Sequence, residues 1–263
     1  MKYSQKLLSV GLACSLGLLT SVSAPVSAFS IPQSKASQAA SKLVHIQLRA
    51  AEGNADAQFL LGLMSLAGRF VDQDIDQGIY WVEQAALQDH IKAQQTLADL
   101  TFEGKLLPRD LTVAEKWYQS LAKHGDPRAH FRLGFIYSAG GDGVTRSCGK
   151  ALEQFTQAGD EIALGNVAWI LATCPEEEYR NGSKAVQLAL QLLESNANDP
   201  TNLDNLAAAY AEMGEFELAV DTQQKAIEAL KQNPEVAQSD EFIMRLEQYQ
   251  QGRAYREIIP LMN

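Results

Sequence analysis

The chain has 263 residues, of which 46% are hydrophobic and 21% charged, and its formal net charge is −10. This is enough apolar material for a buried core and too much for a disordered chain. The acidity argues against nucleic-acid binding, which needs clustered Lys and Arg, and three cysteines are too few for a disulfide scaffold.

Residues 1–28 read as a signal peptide. Lys2 and Lys6 precede an uncharged, mostly apolar run from Leu7 to Leu19, and Val26-Ser27-Ala28 offers small residues for cleavage after Ala28. The run is too short for a transmembrane helix, so no span is expected in the mature chain. Cys14 lacks the leucine that a lipobox would place at Gly11, and it is expected to leave with the signal. The localisation expected is periplasmic or secreted. In that oxidising space Cys148 and Cys174 are either a disulfide pair or two unrelated thiols.

After a linker over 29–44, residues 45–160 carry an internal repeat. Ala57, Ala93 and Ala129 stand 36 residues apart. Leu61, Leu97 and Leu133 keep that step, as do Gly62, Ala98 and Gly134, and so do Gly68, Gly104 and Gly140. Recurring small residues imply close helix approach, and recurring glycines after an apolar run imply helix ends. Each of about three units reads as two helices. The first unit places Ala57, Leu60, Leu61 and Met64 on one buried face, then Ile79, Val82, Ala85 and Ala86 on the next. The third unit carries one extra residue in its loop, Gly140-Gly141-Asp142-Gly143.

The runs Ala-Gln-Phe-Leu-Leu-Gly-Leu (57–63), Ala-Glu-Lys-Trp-Tyr-Gln-Ser-Leu-Ala-Lys-His-Gly-Asp (114–126) and Arg-Leu-Gly-Phe-Ile-Tyr-Ser-Ala-Gly (132–140) resemble the Sel-one-like repeat family. Ser65 and Thr101 stand where that family usually has Tyr, and Ala98 replaces a Gly. Over 161–235 the pattern is similar to about two tetratricopeptide repeats, through Leu203, Leu206, Ala207, Tyr210, Gly214, Ala219 and Ala226, with Pro234 beyond. Pro175 is expected to end one helix, and another begins near Ser183. Residues 236–263 read as a capping helix, with Phe242, Ile243 and Leu246 on one face, and a tail. The fold class implied is all-α: an α-solenoid of stacked antiparallel helix pairs.

Acidity is concentrated late: residues 29–159 hold 14 acidic and 13 basic side chains, residues 160–263 hold 18 and 7. This is either a solvated outer face or a surface that steers a basic partner.

Chemistry-bearing motifs are weak. His45, His90, His124 and His130 lack metal-ligand spacing, and no phosphate loop is present. Ser147-Cys148-Gly149-Lys150 has the Ser-x-x-Lys spacing of penicillin-interacting enzymes without the companion motifs, so Ser147 is expected to cap a helix. Asn181-Gly182-Ser183 fits a glycosylation sequon, but a plain turn before a helix is the preferred reading. No cofactor, metal or catalytic residue is expected.

The resemblance implies that the first helix of each pair lines a concave groove. The groove positions are then Phe59, Leu63, Gln95, Asp99, Phe102, Phe131, Phe135, Trp169, Asp204, Ala208 and Glu212. Phe135 and Trp169 are expected to be the most open, although such aromatics can equally pack between helices. The function implied is a monomeric, non-enzymatic adaptor that binds a protein or peptide in the cell envelope. The rival readings are a penicillin-directed hydrolase and a structural subunit of an envelope complex.

Overall fold

The computed structural model describes residues 34–232, 239–257 and 259. The expected signal peptide, Cys14 and Pro234 lie outside the described residues. Met1–Ala40 and Ser41–Asn263 are two separate units, and the helical stack belongs to the second.

Among the described residues the secondary structure is helical apart from one isolated bridge between Gly141 and Val144. Helix α1 spans Lys35–Ala51. It runs through residues expected as a linker, because Ala, Gln, Lys and Leu there all favour helix. Five helix pairs follow: α2 (Ala55–Ala67) with α3 (Ile75–Ala86), α4 (Ile91–Glu103) with α5 (Leu111–Lys123), α6 (Pro127–Ala139) with α7 (Cys148–Ala158), α8 (Glu161–Thr173) with α9 (Gly182–Leu193), and α10 (Pro200–Glu212) with α11 (Phe216–Gln232). Helix α12 (Ser239–Gln250) packs on α11. The fold is the expected α-solenoid of helix pairs.

The same capping chemistry starts each pair. Asn54, His90, Asp126, Asp160 and Asp199 accept from the backbone N–H groups of Ala57, Ala93, Ala129, Ala163 and Asn202, which satisfies donors that the first helical turn leaves free. Asp74, Asp110, Ser147 and Asn181 do this for the second helices. Ser147 is thus a helix cap, as expected, and Asn181, expected only in a turn before a helix, caps that helix. The first helices of the first two pairs end on Gly68 and Gly104, whose φ values of 62° and 69° suit glycine far better than any other residue.

Loop lengths are set by a shared backbone bond. Asp74 N–H donates to Ser65 C=O, Asp110 to Thr101, and Ser147 to Tyr137. The last closes over one residue more than the others. The Gly141–Val144 bridge absorbs it.

Small residues mark the close approaches. A Cβ on Gly62 would lie 2.6 Å from Val82 Cγ2, and one on Gly134 would lie 2.6 Å from the Phe155 ring. Ala57, Ala93 and Ala129 are all buried, so the 36-residue step recurs in like surroundings. Two expected core positions differ: Leu60 and Ile243 are each 44% exposed. Leu60 sits beside the true buried pair Leu61 and Met64, one step off their face. On α12 the buried stripe is Phe242, Arg245 and Tyr249, with Ile243 turned to solvent.

Candidate functional site

Helix α8 packs directly on α10, and α12 closes the end of the stack. Together with a residue of α6 and the segment after α12, they border a cleft of about 720 Å³. Its apolar wall is Phe135, Ile162, Trp169, Phe242 and Ile259, and its polar side includes the amides Asn166, Asn202 and Asn205. Asp160 starts α8 and Asp199, itself a cleft residue, starts α10.

The cleft floor holds a buried ion pair. Arg245 Nε donates to Asp204 Oδ1 at 2.9 Å, and Gln223 Nε2 donates to the same oxygen at 2.7 Å. Burial pushes the Asp204 carboxyl up, and the Arg245 charge and Gln223 hydrogen bond oppose that push. The Arg245 guanidinium also lies over Trp169, Phe242 and Tyr255, at 5.2, 5.0 and 5.6 Å from their ring centres. An arginine at this point fits because its planar cation satisfies a carboxylate and stacks on aromatic rings at once.

The segment after α12 returns across α8. Trp169 Nε1 donates to Glu257 Oε2 at 3.0 Å, and Tyr255 lies 5.9 Å from the Trp169 ring. Glu257 N–H donates to Thr173 C=O at 3.1 Å. Arg256 pairs with Glu212 at 2.5 Å, and Arg180 Nε donates to the other oxygen of that carboxylate at 2.9 Å. Burial pushes the Glu257 carboxyl up, against the charge of Arg245.

The predicted groove residues divide accordingly. Phe135, Trp169 and Asp204 do border this cleft. Phe135 and Trp169 are nevertheless only 5% and 8% exposed, contrary to the expectation that they would be the most open. Phe135 packs edge-on against Phe131 and Phe155, while Arg245, Tyr255 and Glu257 lie against Trp169. Glu212 is held by its two arginines, and Ala208 is buried.

The remaining positions lie along earlier units. Phe102 is buried beneath Arg132 and against Tyr118. Asp99 accepts from the Tyr118 hydroxyl and faces Arg128, and Gln95 donates to Asp126. Phe59 stacks at 4.7 Å on His90, and Leu63 is exposed. Sequence reasoning missed Arg245, Tyr255 and Glu257. An arginine at an apolar step between Phe242 and Tyr249 was the available signal for the first; nothing in the sequence pattern marked the other two.

Cys148 and Cys174 form a disulfide that ties the start of α7 to the end of α8. Arg146 and Glu176 form an ion pair beside it, with one contact at 3.1 Å. The Ser147 hydroxyl is spent on its cap, and the Lys150 ammonium lies 4.9 Å over the Tyr137 ring, so the two do not form a nucleophile–base pair. No described helix is long and apolar enough to cross a membrane.

Residues 55–90, 91–126 and 127–161 each match the Sel1 repeat family model. An uncharacterized protein of Neisseria meningitidis serogroup B is 35% identical over 91 residues, which take 35% of this chain and 18% of that protein. The chain therefore aligns with less than a fifth of that relative's length. A Sel1 repeat protein from Oxalobacter formigenes is similar in structure, with a TM-score of 0.57 at 21% identity, over 75% of this chain and 58% of that one. A protective antigen of uropathogenic Escherichia coli strains, displaying an SLR fold, aligns with a TM-score of 0.47 at 24% identity, over 72% of this chain and 41% of that one.

Proposed function

From a chain that carries three Sel1 repeats within an α-solenoid, we propose an exported adaptor without chemistry of its own, which binds an extended segment of a partner protein in the cleft between α8, α10 and α12. Sel1 repeat proteins generally mediate protein–protein interaction, and scaffolds of this type are typically non-catalytic.

The observation that carries the choice of surface is the cleft itself. It combines an apolar wall with the half-exposed Asn202, whose side-chain amide can pair with a passing backbone, while the Asn166 and Asn205 amides donate to Ile162 and Gly165 C=O. The acidic balance of residues 160–263 favours approach of a partner with basic flanks. The envelope is the compartment proposed, on the strength of residues 1–28 and the Cys148–Cys174 bridge.

The test is cross-linked capture from an envelope fraction with Asn166→Tyr and Asn202→Tyr chains, which fill the cleft from its half-exposed side. A partner captured by the unaltered chain and lost by both variants supports the cleft. Equal capture by all three chains removes it.

A further inference from the structure

The segment following α12 is neither helix nor strand, yet it is held at defined points on the face of α8. Tyr255 and Glu257 both meet Trp169, whereas Arg256 between them reaches Glu212 on α10. Side chains that leave in alternate directions are what an extended chain presents to a surface.

Its backbone is read as well. Glu257 N–H donates to Thr173 C=O, and the Arg256 guanidinium donates to Ala172 C=O at 3.4 Å. These carbonyls belong to the last turn of α8, where a helix has acceptors without partners of its own. Any chain crossing this face can supply the backbone donor, whereas the guanidinium requires an arginine between the two anchors. The aromatic site is equally general: one side is the Trp169 ring and the other is the Arg245 cation, fixed by Asp204.

We infer that this face of α8 recognises an extended segment with an aromatic residue and, two positions on, a carboxylate, and that the chain's own Tyr255–Arg256–Glu257 occupies it in cis until a partner segment of that pattern exchanges with it. The inference rests on reading the neighbouring cleft as a peptide site and adds its regulation. Glu257 and Ile259 form one border of that cleft, so release of the segment widens it. Exchange is open to an incoming segment because the aromatic, carboxylate and backbone N–H contacts can all be remade, and no helix or sheet must be dismantled to free the cis one.

The experiment uses the full chain and a synthetic peptide of residues 252–259, with a scrambled peptide as control. Binding is read from Trp169 fluorescence, with Trp169→Phe to identify its share against Trp81 and Trp117. In the Tyr255→Ser/Glu257→Ala chain the cis occupant loses both side chains that meet Trp169. This chain is expected to bind the peptide at least tenfold more tightly than the unaltered one, and its Trp169 emission moves to the red and returns when peptide is added. Should the double variant lose its helical circular dichroism, Glu257→Ala alone carries the comparison, with an expected gain of about threefold. Equal peptide affinities for the variant and the unaltered chain would overturn the exchange and leave the cleft standing. Equal capture by the Asn166 and Asn202 variants would remove the cleft and with it the regulatory role of the segment, even where the peptide affinities still differ.

Discussion

Arg245 and Asp204 join α12 to α10 through a 2.9 Å hydrogen bond between side chains that are 4% and 7% exposed. A buried pair of this kind is costly to break from one side, because the remaining charge has no water to replace its partner. Arg245→Met is expected to lower stability by about 3–5 kcal/mol in chemical denaturation. Asp204→Leu/Arg245→Met is expected to cost clearly less than the two single changes added together. Strict additivity would show that the pair is not energetically coupled.

Glycine 134 is a packing requirement. A methyl there would meet the Phe155 ring at 2.6 Å, so Gly134→Ala is expected to destabilise by about 1–3 kcal/mol. Gly134→Ala/Phe155→Leu should recover part of the loss. Gly165→Ala makes the contrast. Its nearest neighbour would be Asn205 at 3.5 Å, and alanine is the better helix former by about 1 kcal/mol, so thermal melting should hold or rise.

The disulfide closes a loop of 26 residues. In the chain-entropy account such a loop is worth about 3 kcal/mol, and Cys148→Ser/Cys174→Ser is expected to lose about that much. Thiol titration of the denatured, unreduced protein should find neither Cys148 nor Cys174 free. Two free thiols would refute the bridge.

Buried phenols set the alkaline limit. Burial pushes Tyr137 up to about 12 from the ordinary 10.0, and burial with the Asp99 carboxylate pushes Tyr118 up further still. Each folded-state value lies above the unfolded one. The stabilisation is therefore complete below about pH 10 and is lost as pH rises towards 12 and beyond. Denaturation midpoints measured alongside phenolate absorbance should fall through that window. Tyr118→Phe and Tyr137→Phe should flatten the fall.

Much of the stack is legible from residue spacing. A cap, a small residue at the crossing point and a terminal glycine recur at a fixed step, and each has a local physical reason that does not depend on distant chain. That is why the spacing locates the extra residue near Gly141 and marks Ser147 as a cap. Periodicity resolves a face only to about one side chain, so Leu60 and Ile243 were placed inward when the neighbouring steps carry the burial. The misreading of Trp169 has another origin. Its cover comes from Tyr255 and Glu257, more than 80 residues away in an aperiodic segment, and helical spacing holds no information about where such a segment lands. Arg245 is intermediate. Its position on the stripe was visible, but a cation at an apolar step makes sense only once Asp204 is known to face it.

The Gly141–Val144 bridge shows where this architecture stores differences in length. One surplus residue is taken up in the hairpin-like nook, and α7 still begins on a capped Ser147 bonded to Tyr137, in the same relation as its counterparts. Changes in loop size are thereby quarantined from the phase of the helices that follow. This corner is the natural port for grafting a short epitope or a fluorophore, where a label would report on the array without disturbing its stacking.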